Sequence, residues 1–119
     1  MPELKAQYAT VAAARARIPG PPAAGWPEGT PFATLLAHGT MSVEYYAPLV
    51  SDRQQPHDQD ELYFIERGSG VFVLGDEELP FGPGDCLFVA AGARHRFKSF
   101  SAAFGAWVVF WGPKGGERG

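Results

Sequence analysis

The residues best equipped for chemistry lie in the run Gln55-Pro56-His57-Asp58-Gln59-Asp60-Glu61. Gln55 and His57 are two positions apart, so in an extended segment their side chains project to the same side. Glu61 opens an apolar stretch in which Tyr63 and Ile65 share its face. A carboxylate on the inward face of a strand is costly unless it is paired or bound to a metal. His57 is the nitrogen donor close by in sequence, and His95 is the remote one. In Arg94-His95-Arg96-Phe97-Lys98, alternation puts the three cations on one side and turns His95 inward with Phe97. Two imidazoles and one carboxylate make up the facial set of non-haem iron sites, which leaves positions open for oxygen or substrate. Catalytic zinc uses the same set. Gln55 could add a neutral oxygen as a fourth donor. The plainer reading of such a His- and acid-rich loop is that it faces solvent.

Other residues carry weaker signals. Tyr63, on the face of Glu61, is the candidate for orienting a substrate or acting as an acid; its plainer role is a core tyrosine with a satisfied hydroxyl. Cys86 has no basic neighbour in sequence and reads as a buried, inert thiol. His38 precedes a turn and reads as a surface residue, while Asp58 and Asp60 read as solvated charges. Gly82-Pro83-Gly84-Asp85 leads into a strand rather than a helix, which excludes a phosphate-binding loop. Trp26, isolated among Pro and Gly, could anchor a partner or pack on its own domain.

These residues need a scaffold, and the chain divides near residue 30. From Glu3 to Ile18 it is Ala-rich without Gly or Pro, which predicts one short helix with Leu4, Tyr8, Val11 and Ile18 along a stripe. Pro19-Gly20-Pro21-Pro22 ends it, and an irregular strap follows to Pro31. Beyond lie short β-type runs at Phe32–Ala37, Met41–Ala47, Glu61–Glu66, Val71–Leu74, Cys86–Ala90, His95–Phe100 and Phe104–Trp111, separated by Gly-rich breaks. Close spacing without intervening helices predicts an all-β barrel or sandwich. The expected division is 1–30 helix and strap, 31–112 barrel, and 113–119 a flexible tail. Phe104–Trp111 and Glu61–Glu66 are apolar on both faces, so their outer face needs a cover. A two-fold homodimer supplies one, and the first 30 residues are the alternative.

Composition narrows the function classes. The chain has 119 residues, with 10 Lys+Arg against 13 Asp+Glu and a net charge of −3. That argues against nucleic-acid binding driven by bulk positive charge. Apolar runs are far shorter than the ~20 residues of a membrane span, and no signal-peptide pattern opens the chain. One cysteine rules out an internal disulfide and fits the reducing cytoplasm.

At this point the sequence resembles the cupin superfamily. The family's first motif runs Gly, five residues, His-x-His, three or four residues, Glu, six residues, Gly. Here His57, Glu61 and Gly68 match from the second His onward, with Gln55 at the first His and Leu49 at the leading Gly. The second motif runs Gly, five residues, Pro-x-Gly, two residues, His, three residues, Asn. Gly84, Gly92 and His95 match in register, with Ala90 for Pro and Ser99 for Asn. The resemblance covers roughly Phe32 to Gly112. It implies a cupin-like β-barrel (a double-stranded β-helix or jelly roll) behind the short N-terminal helix, with a divalent metal in its mouth. Carried over by position, the ligands are His57, Glu61 and His95, with Gln55 in the place of the remaining His. Loss of that imidazole favours iron(II) or manganese over zinc or nickel.

Two functions from different classes follow. The first is a metal-dependent enzyme acting on a small organic molecule in the barrel, with oxygenase, isomerase and lyase chemistry all open. The second is a non-catalytic module in which the barrel holds a small ligand or the metal serves structure alone.

Overall fold

The computed structural model describes residues 7–53 and 55–118. Its elements are one helix, α1 (Val11–Ala16), and eight strands: β1 (Phe32–His38), β2 (Met41–Tyr46), β3 (Asp60–Arg67), β4 (Gly70–Leu74), β5 (Glu77–Phe81), β6 (Cys86–Val89), β7 (His95–Phe100) and β8 (Gly105–Trp111). They form a five-stranded sheet of order β1-β2-β8-β3-β6 and a three-stranded sheet of order β5-β4-β7. All pairings are antiparallel. The fold is all-β and cupin-like, as the motifs lead one to expect.

The two sheets face each other over an aromatic core. Tyr63, Phe72, Phe97 and Phe104 are each almost fully buried. The rings of Phe97 and Phe104 lie 4.7 Å apart and those of Phe72 and Phe97 4.8 Å apart. Such large rings bring much apolar area out of water, each worth roughly 1.5–3 kcal/mol when fully buried. Alternation decides which side chains look inward. On β3 the inward set is Glu61, Tyr63 and Ile65, all buried, while Leu62 and Glu66 are half-buried and Phe64 is exposed.

The helix is shorter than Glu3–Ile18. Among the described residues it starts only at Val11, because the Thr10 side chain accepts a hydrogen bond from the Ala13 amide at 3.1 Å and caps the first turn. Upstream, the Gln7 amide group bonds both the carbonyl and the N–H of Ala37 on edge strand β1. That favours an extended segment there. Of the expected stripe, Val11 and Ile18 pack beside buried Ala14 and Tyr45, whereas Tyr8 is exposed and Leu4 lies outside the described residues.

Strand β5, in Glu77-Glu78-Leu79-Pro80-Phe81, was not expected from its two charges and its proline. Its place explains it: β5 is the edge of the three-stranded sheet, where a missing N–H breaks no ladder. Cys86 is exposed, not buried, because it begins the other sheet's edge strand β6.

Among the described residues, the outer face of the five-stranded sheet is covered only in part. Arg15 of α1 donates to the Tyr45 hydroxyl at 3.0 Å and to the Ala103 carbonyl at 3.1 Å, and Tyr45 in turn donates to Glu66 at 2.5 Å. Gly105 makes this possible, since a Cβ there would collide with the Tyr45 hydroxyl. Farther along the same face, Phe64 and Phe88 remain 42% and 53% exposed.

Candidate metal centre

Three side chains from three parts of the chain converge at one end of the barrel. Glu61 sits near the start of β3, His95 at the start of β7, and His57 in the loop between β2 and β3. One potential ligand atom from each lies within 4.8 Å of the others. Glu61 is 1% exposed and His95 8%. The two expected motifs are physically tied, because the Gly92 amide donates to the His57 carbonyl at 2.7 Å. Gly92 has φ +80°, a backbone conformation that a residue with a Cβ rarely adopts, so the glycine shapes the turn that delivers His95.

The local hydrogen bonds orient the donors. His95 Nδ1 is 2.9 Å from the Ala93 carbonyl, which assigns its proton to that nitrogen and points Nε2 into the site. Nε2 lies 2.9 Å from Glu61 Oε1 and 3.2 Å from the Tyr63 hydroxyl. The Glu61 contact is close but not aligned as a hydrogen bond, and both Glu61 oxygens are buried without a hydrogen-bond partner. A buried acceptor in that state costs about 1–3 kcal/mol, more when charged. A divalent cation is a fitting partner for this donor set, since it satisfies the carboxylate and accepts the imidazole lone pair that the Tyr63 hydroxyl otherwise reaches.

Electrostatics point the same way. Burial works against protonation of His95, but the Glu61 carboxylate, the Ala93 carbonyl and the charge of Asp52 outweigh it, holding the imidazole above its ordinary value. The ion-free site therefore draws a proton to offset the buried negative charge.

The other expected residues fall into place differently. Gln55 is exposed and stands on the rim between two cavities, outside the buried triad. Tyr63 is buried within the aromatic core, with its hydroxyl at His95. Asp58 is exposed, but Asp60 is not the solvated charge expected. It is 5% exposed and accepts from the amides of Ala91 and Glu117, both at 2.9 Å, and these bonds lower its pKa. Residues 113–117 thus run back beside the base of the loop that carries His57, where the Gly115 amide also reaches the Asp58 carbonyl at 2.7 Å.

Sequence reasoning missed three residues. Asp52 accepts from the Tyr46 hydroxyl at 2.5 Å and from the Phe97 amide at 2.8 Å, pinning the loop that carries His57 to both sheets. Arg53 fastens the N-terminal strap: its guanidinium lies 6.0 Å from the Trp26 ring centre, 3.2 Å from the Gly25 carbonyl and 3.5 Å from Glu28. Glu44, inward on β2 beside Tyr46, lines the cavity next to His57. A carboxylate flanked by alternating inward positions was the available signal for Glu44. Nothing local marks Asp52 or Arg53.

Two cavities adjoin the triad. One, of about 360 Å³, is walled by the strap, β2 and His57. The other, of about 500 Å³, opens between Asp52, Gln55 and the Arg94–Arg96 side of His95. A separate apolar groove of about 290 Å³ lies beyond Trp26, between the strap and Leu49, and touches none of the three donors.

Residues 42–110 match the cupin domain family, and the chain belongs to it. Among curated proteins it is 35% identical over 82 residues to the uncharacterized protein SCO3923 of Streptomyces coelicolor, covering 67% of this chain and 78% of that one. It is 28% identical over 76 residues to the HTH-type transcriptional activator RhaS of Pectobacterium carotovorum, covering 64% of this chain but only 27% of that protein. A solved cupin 2 conserved barrel domain protein from Salinispora arenicola superposes with a TM-score of 0.58 at 22% identity, over 68% of this chain and 74% of that one.

Proposed function

We propose that this cupin holds one divalent cation on His57, Glu61 and His95 and binds a small organic molecule beside it. The observation that carries the reading is the buried Glu61 carboxylate, unsatisfied at both oxygens and faced by His95 Nε2. Bound there, the cation would supply Lewis-acid polarisation of a ligand oxygen or, as iron or manganese, redox chemistry. The chain's own residues divide the remaining work. Ala93 fixes the imidazole tautomer, Asp52 holds the metal loop, and Tyr63 presents a hydroxyl at the edge of the donor set. Gln55, on the rim, is the candidate fourth donor. The open side toward the two cavities is where a substrate would meet the ion.

The test is metal loading of the purified chain with Mn(II), Fe(II) or Zn(II), followed by elemental analysis. Close to one ion per chain is expected, with His57→Ala and Glu61→Gln each losing at least tenfold in affinity and Gln55→Ala losing less. Equal loading of wild type and both triad variants would overturn the assignment.

A non-catalytic ligand-binding module remains the second reading. It is favoured by the similarity to a segment of the HTH-type transcriptional activator RhaS of Pectobacterium carotovorum. An ion that no small ligand can reach would support a structural role. The reading also includes a cytoplasmic protein working as a homodimer, with the uncovered sheet face around Phe64 and Phe88 as the contact.

A further inference from the structure

The cavity of about 360 Å³ beside His57 has a wall chemistry of its own. Four aromatic side chains line it: Trp26 from the strap, Phe32 from β1, Tyr46 from β2 and Phe110 from β8. Glu44 stands among them and, among the described residues, makes no hydrogen bond or salt bridge. It is half-buried on the inward side of β2, in register with Val108 of β8 and Thr34 of β1. Burial, followed by the charge of Glu61, pushes its carboxyl up to about 7.

The other charged groups around this cavity do not neutralise Glu44. Asp58 has the same sign. Arg53 is occupied by Glu28, the Gly25 carbonyl and the Trp26 face. Tyr46 spends its hydroxyl proton on Asp52. His57 belongs to the metal centre. Aromatic faces attract positive charge and gain little from a negative one, and a guanidinium already lies near the Trp26 ring. An unpaired carboxylate among such rings is matched by a cation.

We infer that this cavity selects small organic cations, molecules with a positively charged nitrogen held by Glu44 and the aromatic walls and an oxygen function directed toward the metal. The inference rests on the metal reading for the oxygen end only; the selection of charge belongs to Glu44 and the rings. The opposite preference would come from the second cavity, where Arg94 and Arg96 lie beside His95 and suit an anion.

Three probes of nearly one shape separate these cases: choline, its neutral isostere 3,3-dimethylbutan-1-ol, and the anion 3,3-dimethylbutanoate. Each is titrated into the full chain by calorimetry and tryptophan fluorescence, with metal content measured in the same samples. Choline should bind roughly tenfold more tightly than the alcohol, the scale of a desolvated cation–π contact, and the anion most weakly. Glu44→Gln should bring choline and the alcohol to within about twofold, leaving metal stoichiometry intact. Should that variant not fold, Trp26→Leu, on the strap outside both sheets, must weaken choline more than the alcohol. The alcohol or the anion binding as tightly as choline, no saturable choline binding at all, or undiminished discrimination in Glu44→Gln each overturns the inference. The metal-stripped protein separates the two proposals: cation preference that survives chelation supports Glu44 whatever becomes of the ion.

Discussion

Glu61 and Glu44 show how burial decides the chemistry of a carboxylate. Both face inward from neighbouring parts of one sheet, and the charge of Glu61 makes ionisation of Glu44 more costly. Without an ion, His95 is held above its ordinary value and Glu44 is raised to about 7. Raised groups stabilise the fold fully below their unfolded values and lose that contribution as pH rises through the folded ones. For Glu44 the window therefore opens near its ordinary value of 4.5 and closes near 7, and for His95 it begins near the ordinary 6.5. The metal-free protein should lose stability from pH 5 to 7.5 in urea titrations. Glu44→Gln should remove a share of the slope, of order 2 kcal/mol. A slope unchanged by the substitution would mean that Glu44 titrates as an ordinary surface acid.

At the scale of elements, the loop from Ala47 to Gln59 carries His57, and Asp52 decides where that loop sits. Its carboxylate joins the Tyr46 hydroxyl on β2 to the Phe97 amide on β7, closing the gap between the two sheets. Asp52→Ala should leave the buried Tyr46 hydroxyl without its acceptor, costing about 1–3 kcal/mol. It should also weaken metal binding several-fold by releasing His57, although Asp52 is not itself one of the three donors. Chemical denaturation and metal titration on one preparation check both effects. Stability lost with metal affinity unchanged would leave Asp52 a structural residue only. This level was largely hidden in the sequence. Strands β1 to β4 and β6 to β8 were legible from alternation and Gly-rich breaks. Strand β5 was not, because an edge strand tolerates charge and proline.

For the whole molecule, the uncovered sheet face is the main unfinished surface. The short helix shields Tyr45 but leaves Phe64 and Phe88 open, so the N-terminal residues described here cover only part of it. Burying such rings against a second copy is worth about 25 cal/mol per Å² before the cost of association. Sedimentation at micromolar concentration should find a species of twice the 12.8 kDa chain mass, and Phe88→Glu should shift it to monomer. A monomeric wild type would remove the dimer.

Much of this protein is written in local pattern. The inward run of Glu61, Tyr63 and Ile65, the inward turn of His95 and the spacing of the turn glycines depend on near neighbours in the chain, so alternation and motif spacing reveal them. What the folded molecule decided is which distant groups meet. The pinning of the His57 loop by Asp52, the hold of Arg53 on the strap and the burial of Glu44 among aromatic rings arise from contacts made across sheets and loops. No residue-by-residue pattern encodes such contacts, because their energies depend on burial and orientation that exist only once the sheets have closed on each other.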